Sequence, residues 1–434
     1  MDGWAADDMP KRQTEPTRSV WVERMGDVLI FLVMFSSFYQ QSTPGESKPV
    51  LFDLMLILAM GVYFGFGLKF PKGLLWPVAL WGVVLAGYGI GGMTAVYTEK
   101  VSSFLQVATY LTCAFIFFTS YVFADPERRM RLIFNAYTAG AAAAALAGIA
   151  GYFGIGLGGL SLTTYGRASG TFNDPNVFGP YLVAPAVYLG LRLSKSNGWS
   201  TVVIVPLFGI LVLALLLSFS RGAWGNFLLS AILFFGFTMA TSRSGAQVRR
   251  LLALVGVVGI LLVGIVGVAL STPKIQALFE ERASLVQNYD VGQGGRFTSQ
   301  QKALEMGLNN PLGIGPQQWA MINKLDTHNV YLNVFVAGGF ISLIGFLGFI
   351  GLTFFAGKRA IFANGPGQDY LIVAYACLIG HMGEAFIIDV DNWRHLFLLF
   401  GMTWGAILAT KVHVAAPPRR TPRTNGQVTS GFAA

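Results

Sequence analysis

Apolar residues along this chain come in long runs separated by short polar links, not in the one-sided 3.6-residue spacing of a soluble surface helix. About twelve such runs fall at 26–41, 50–68, 75–97, 104–124, 132–154, 178–193, 199–219, 223–241, 251–270, 330–356, 369–388 and 396–411. Most approach the ~20 residues a helix needs to cross bilayer hydrocarbon. The pattern predicts an all-α fold, a polytopic transmembrane helix bundle of about 12 spans. No polar block of domain size interrupts it, so 26–411 reads as one transmembrane domain flanked by polar tails at 1–25 and 412–434. The second tail, rich in Pro, Arg and Thr, is expected to be disordered.

Two connections, 155–177 and 271–327, are longer than a compact bundle requires, which often signals function. The second predicts a helical insert. Thr272 and Pro273 suit an N-cap and first helical position, and Ile275, Leu278, Phe279 and Val286 then recur at helical spacing. Thr298 and Gln301 suggest a capping box for a second helix carrying Ala303, Leu304 and Leu308. A Pro/Gly turn from Asn309 to Gly315 leads back to the next run. Gly256, Gly259, Gly264, Gly267, Gly345 and Gly348, and the alanines at 141–145, suit close helix packing.

Charge adds an orientation. The 434 residues are 54% hydrophobic and 12% charged, with a net charge of +9. Such a basic excess can serve nucleic acid, but here it lies in short interhelical loops and tails, the pattern of membrane topology, so no nucleic-acid partner is expected. Placing Lys69, Lys72, Arg128, Arg129, Arg131, Arg192, Lys195, Arg243, Arg249, Arg250, Lys358, Arg359, Lys411 and both tails on one side gathers roughly 20 of the 30 basic residues there. The positive-inside rule makes that side cytoplasmic, with both termini on it. No secretory signal peptide is visible in the polar first 24 residues.

Arg167, Arg221 and Arg296 remain on the outer side, in polar motifs beside helix ends. Arg167 stands in Y-G-R-A-S-G-T-F-N-D-P-N-V-F-G, where Asp174 and Pro175 can cap and begin the sixth span; Arg221 stands in S-F-S-R-G-A-W, with almost no loop around it. An arginine at a helix centre costs about 2.5–3.5 kcal/mol on insertion scales, so an anionic partner is expected to offset part of that at these depths. An ion pair with Asp or Glu, or snorkelling, would serve as well for any one of them. Three guanidinium forks on one face match a diphosphate. His328, in T-H-N-x-Y-x-N at the outer mouth of a span, suits a general base, although it could equally be a polar helix start capped by Asp326 or Thr327. His395 reads as interfacial, His413 lies in the tail, and His381 with Glu384 suggests a buried polar pair. Cys113 and Cys377 read as packing residues. Asp389 and Asp391 form a D-x-D tripeptide like those that hold metals, but on the outer face. The sequence shows no metal-ligand cluster, Walker loop or G-x-S-x-G.

Gly295-Arg296-Phe297, N-P-L-G-I-G-P at 310–316, His328-Asn329-x-Tyr331-Leu332, the R-x-S-G-T-F-N-D-P-N loop and Ser220-Arg221-Gly222 together resemble the O-antigen ligase and O-antigen polymerase superfamily of bacterial envelope enzymes. The resemblance covers approximately residues 160–400. It implies a glycosyltransferase of the bacterial inner membrane that needs no metal or other cofactor. Such an enzyme takes a glycan from undecaprenyl diphosphate at the periplasmic face. It also implies that His328 is the catalytic base and that Arg167, Arg221 and Arg296 bind the diphosphate. Asn173, Asn176, Asn329 and Tyr331 of the same motifs are supporting candidates. The acceptor would be a lipid A core sugar for a ligase in lipopolysaccharide biosynthesis, or a second lipid-linked glycan for a polymerase. A polytopic transporter is the alternative from another class, but it would place charges near the bilayer midplane.

Overall fold

The computed structural model describes residues 20–41, 49–156, 158–196, 198–242, 244–283 and 295–415. Val286, Gly294 and the tail beyond Ala415 lie outside them. The apolar runs form helices α1 Val20–Ser36, α2 Leu51–Gly65, α3 Leu75–Gly92, α4 Thr98–Ala124, α5 Pro126–Tyr152, α6 Pro175–Tyr181, α7 Val183–Lys195, α8 Trp199–Leu217, α9 Arg221–Thr241 and α10 Gly245–Leu270. After the insert come α14 Val330–Ile361, α15 Gln368–Glu384 and α16 Arg394–Ala415; the insert itself holds α11 Pro273–Ala283, α12 Arg296–Asn309 and α13 Gln318–Asn323.

Among the described residues, eight helices are long and apolar enough to cross a membrane, counting α6 with α7 as one. The chain is therefore a multi-pass, all-α membrane protein. The other four expected spans fall on α1, α2, α10 and α15. Three of these, at 15 to 17 residues, fall short of the ~20 needed for a straight crossing. Twelve crossings are thus an expectation of which eight are met.

Several local signals read from the sequence start helices as expected. Asp174 accepts from Asn176 N at 2.8 Å with Pro175 at the first helical position, and α11 begins at Pro273 with Ile275 N and Gln276 N bonded to Thr272 O. Others differ. Helix α12 begins at Arg296 behind an extended Gly295 that offers no side-chain cap, so Thr298 and Gln301 lie inside the helix and form no capping box. Its buried face is Ser299, Ala303 and Gly307, while Leu304 and Leu308 are exposed. The cap of α14 is Asn329, whose Oδ1 accepts from Tyr331 N and Leu332 N, not Asp326 or Thr327.

Helix α3 packs along α14, α4 along α16, α9 against α15, and α5 against α1 and α8. Ser342 Oγ donates to Val84 O at 2.7 Å across the first of these contacts. Gly345 gives the close approach expected of it, since a Cβ there would lie 3.0 Å from Leu80 O, and Ala141, Ala144 and Ala145 are fully buried. Gly256, Gly259, Gly264 and Gly267 do not; nothing lies within 4 Å of a Cβ at any of them. Cys377 is buried, whereas Cys113 is exposed on α4 and packs no core.

Helix α14 is broken at Gly339, where φ is 64° and ψ −159°. The turn at 310–316 docks into the break. Ile314 N and Gly315 N donate to Val336 O and Ala337 O at 2.9 Å, and Phe340 N donates to Pro311 O at 3.0 Å. These bonds satisfy backbone groups that a break at membrane depth would otherwise strand, each costing several kcal/mol.

Candidate active site

Arg167 is carried by a feature absent from the all-helical expectation, a two-residue ribbon. Strands β1 Thr163–Thr164 and β2 Arg167–Ala168 pair antiparallel around Tyr165 and Gly166, whose φ of 54° and 71° make the tight turn with two left-handed residues that hairpins favour. Arg167 is buried, 7% exposed. Its Nε donates to Ser218 O at 2.7 Å and its Nη2 to Asn176 Oδ1 at 2.7 Å. The ribbon is thereby locked to the junction of α8 and α9 and to the first turn of α6.

That junction supplies Arg221. Ser220 caps α9 with its Oγ accepting from Ala223 N, so Arg221 is the first helical residue. Gly222 follows because a Cβ there would meet Glu384 Oε1 at 2.7 Å. Glu384 accepts from Asn226 Nδ2 at 2.8 Å and not from His381, whose Nδ1 lies 2.7 Å from Cys377 O. The expected His381–Glu384 pair is therefore not formed: each side chain finds a nearer partner across or along its helix. His395 is buried beside His381 and Trp393 rather than interfacial.

His328 sits immediately before α14 in a left-handed conformation with φ 51°. Asp389, in the loop between α15 and α16, holds it there. The carboxylate accepts from Thr327 Oγ1 at 2.7 Å, Asn329 N at 2.9 Å and His328 N at 3.0 Å. From the other side Gln300, one turn after Arg296, donates to His328 O at 3.0 Å, and Ser299 donates to Asp326 O at 3.0 Å. The helix that bears Arg296 is thus braced directly against the histidine loop.

Arg167, Arg221, Arg296 and His328 all line one cavity of about 530 Å³. They come from four separated segments, brought to one end of the bundle where α8 and α15 finish and α9, α14 and α16 begin. Asn176 also lines it. The other supporting candidates do not: Asn329 is used as the helix cap, Tyr331 donates its hydroxyl to Met382 O at 2.9 Å, and Asn173 lines a neighbouring cavity.

The wall of the arginine cavity also holds Asp391 of the D-x-D tripeptide together with amide and indole groups that the sequence reading did not single out. Asp391, Asn333, Asn392, Trp393 and Gln317 line the cavity too. Asp391 Oδ2 accepts from Asn333 Nδ2 at 3.0 Å. Burial, with the charge of Asp389 as the next cause, pushes the Asp391 carboxyl up to about 7. Burial also raises Asp389, against the opposing bond from Thr327. Within the D-x-D tripeptide, Asp389 clamps the histidine loop and Asp391 holds Asn333 of α14. No group of three or more His, Cys, Asp or Glu is placed to hold a metal among the described residues. The usable signal was the polar run Asp389-Val-Asp-Asn-Trp between two apolar helices.

In comparison with known proteins, residues 206–347 match a family model described as O-antigen ligase. No curated protein matches the chain.

Proposed function

With residues 206–347 similar to the O-antigen ligase family model, we propose that this chain transfers a glycan from undecaprenyl diphosphate to an acceptor hydroxyl, as a ligase onto lipid A core. The family supports the coarser statement, a membrane glycosyltransferase of the ligase and polymerase type. The observation that supports the donor and transfer reading is the one cavity shared by Arg167, Arg221, Arg296 and His328. The site would face the periplasm of an inner-membrane protein with both termini cytoplasmic, a reading the basic loops support.

In this mechanism the His328 imidazole takes the proton of the acceptor hydroxyl as that oxygen bonds to the anomeric carbon of the donor sugar. The bond from that carbon to the phosphate oxygen breaks, and undecaprenyl diphosphate leaves with the electron pair. Guanidinium groups lining the same space stabilise the charge that grows on the leaving diphosphate. A diphosphate leaves without protonation, so one base and fixed cations suffice. The arginines supply the cationic charge, and turnover is expected to survive EDTA.

The test is transfer by the purified chain in vesicles from a lipid-linked glycan. His328→Ala is expected to abolish transfer while retaining undecaprenyl diphosphate affinity. Near-normal turnover in that variant would remove the histidine from the mechanism. Attachment of the product to a second lipid-linked glycan would make the enzyme a polymerase.

A further inference from the structure

Beside the arginine cavity lies a second of about 480 Å³, and the two share Asp174, Val177, Asn392 and Trp393 as a common wall. The second chamber is amide and aromatic in character, with Gln40, Gln106, Asn173, Tyr110 and Trp393 around it. Its one basic group is closed off, because Arg394 makes a two-pronged contact with Asp53 at 2.6 Å for both Nε and Nη2, and Asp174 is the remaining ionic group. Uncharged hydrogen-bonding groups beside aromatic rings suit a saccharide.

The chamber continues into a third space. Ile57, Gln106, Val107 and Tyr110 border the second chamber, and Ile57, Gln106 and Tyr110 also border an open, largely apolar groove between α2 and α4. Met60, Val101, Leu105 and Cys113 line this groove as well. From Thr98 to Cys113 it runs roughly 22 Å along α4, at 1.5 Å per residue. Starting from the groove, the environments are apolar, then polar with the one arginine closed, then lined by three arginines among carboxyl groups.

That order discriminates between substrates. In a polyprenyl diphosphate glycan the phosphates follow the tail directly, so a tail in this groove would bring them into a chamber whose arginine is already closed by Asp53. A lipid joined straight to sugar fits the order as it stands. We propose that the groove and second chamber bind the acceptor, a glycolipid whose acyl tails attach directly to its saccharide, and present its hydroxyl to the His328 cavity. This rests on the transfer reaction proposed above and favours ligation over polymerisation.

Cys113 offers a probe, because the only other cysteine, Cys377, is buried. In vesicles, rough-form lipopolysaccharide is expected to slow maleimide labelling of Cys113 at least several-fold, while undecaprenyl diphosphate leaves it unchanged. Protection by undecaprenyl diphosphate, or by neither, would overturn the assignment. Protection is a binding readout, so it can succeed even if the chain proves unable to transfer glycan, which would sink the reaction and not the site. As the second measurement, Ile57→Trp fills the groove and is expected to raise KM for the acylated acceptor relative to the deacylated core by about tenfold, equivalent to 1.4 kcal/mol of lost contact. An unchanged ratio would count against the proposal.

Discussion

Asp389→Asn tests whether the histidine acts only when its loop is held. The carboxylate makes three contacts: one oxygen serves Thr327 and Asn329, and the other serves His328 N at 3.0 Å. Asparagine can keep the first pair and must set an amide nitrogen against the His328 N–H. One bond to a charged acceptor is lost, worth about 1.5–3 kcal/mol. The left-handed backbone at His328, φ 51°, costs an L residue a further ~1–2 kcal/mol, now held only by the Gln300 bond to His328 O and the retained Thr327 and Asn329 bonds. Part of this is recovered as the loop relaxes, leaving about 2–3 kcal/mol against the active arrangement. At 1.36 kcal/mol per tenfold, the molecules with His328 in place fall by roughly 30- to 150-fold. We predict a fall of that size in kcat, measured in vesicles at saturating donor, with undecaprenyl diphosphate affinity within about threefold of wild type because the arginines stay in place. A kcat within threefold of wild type would refute the reasoning, since the clamp would then be irrelevant to the base.

Arg167→Lys should lose both the Ser218 and Asn176 bonds, because an ammonium cannot reproduce the fork; thermal melting should drop and donor affinity fall by about tenfold or more, and unchanged values in both would contradict the assignment. Gly339→Ala should prevent folding, because φ is 64° and the new Cβ would press on Pro311 O and Leu312; Gly351→Ala, with open space around it, is the control, and equal yields of monodisperse protein would disprove the break. For Asp391, the folded carboxyl lies near 7 against an unfolded value of about 3.9. The native state therefore holds the extra proton between those values, and this group's contribution to stability falls as pH rises from about 4 to 7. Asp391→Asn should flatten that part of a melting-temperature profile, and an unchanged slope would show that another group titrates.

The helices were legible because bilayer length and apolarity constrain them locally. The runs around Arg167, Arg221 and His328 also announced themselves, since polar residues at helix ends need a reason. Even the cap before α6 could be read from Asp174 and Pro175. What the sequence could not decide was pairing across distance. Asp389 looked like half of a metal motif and proved to be the anchor of a loop some sixty positions earlier, with |i−j| of 60 to 62. His381 and Glu384 share a helix face, yet Cys377 O and Asn226 took their hydrogen bonds because packing brought those partners nearer. Leu304 and Leu308 have the spacing of a buried face and lie outside, while Ala303 and Gly307 lie inside because α12 approaches α14 too closely for larger groups. Periodicity fixes which residues share a helix face, but only the neighbouring helices determine which face is covered. The single cavity behind three arginines and a histidine is likewise a property of the packed bundle, since no local interaction relates residues 167, 221, 296 and 328.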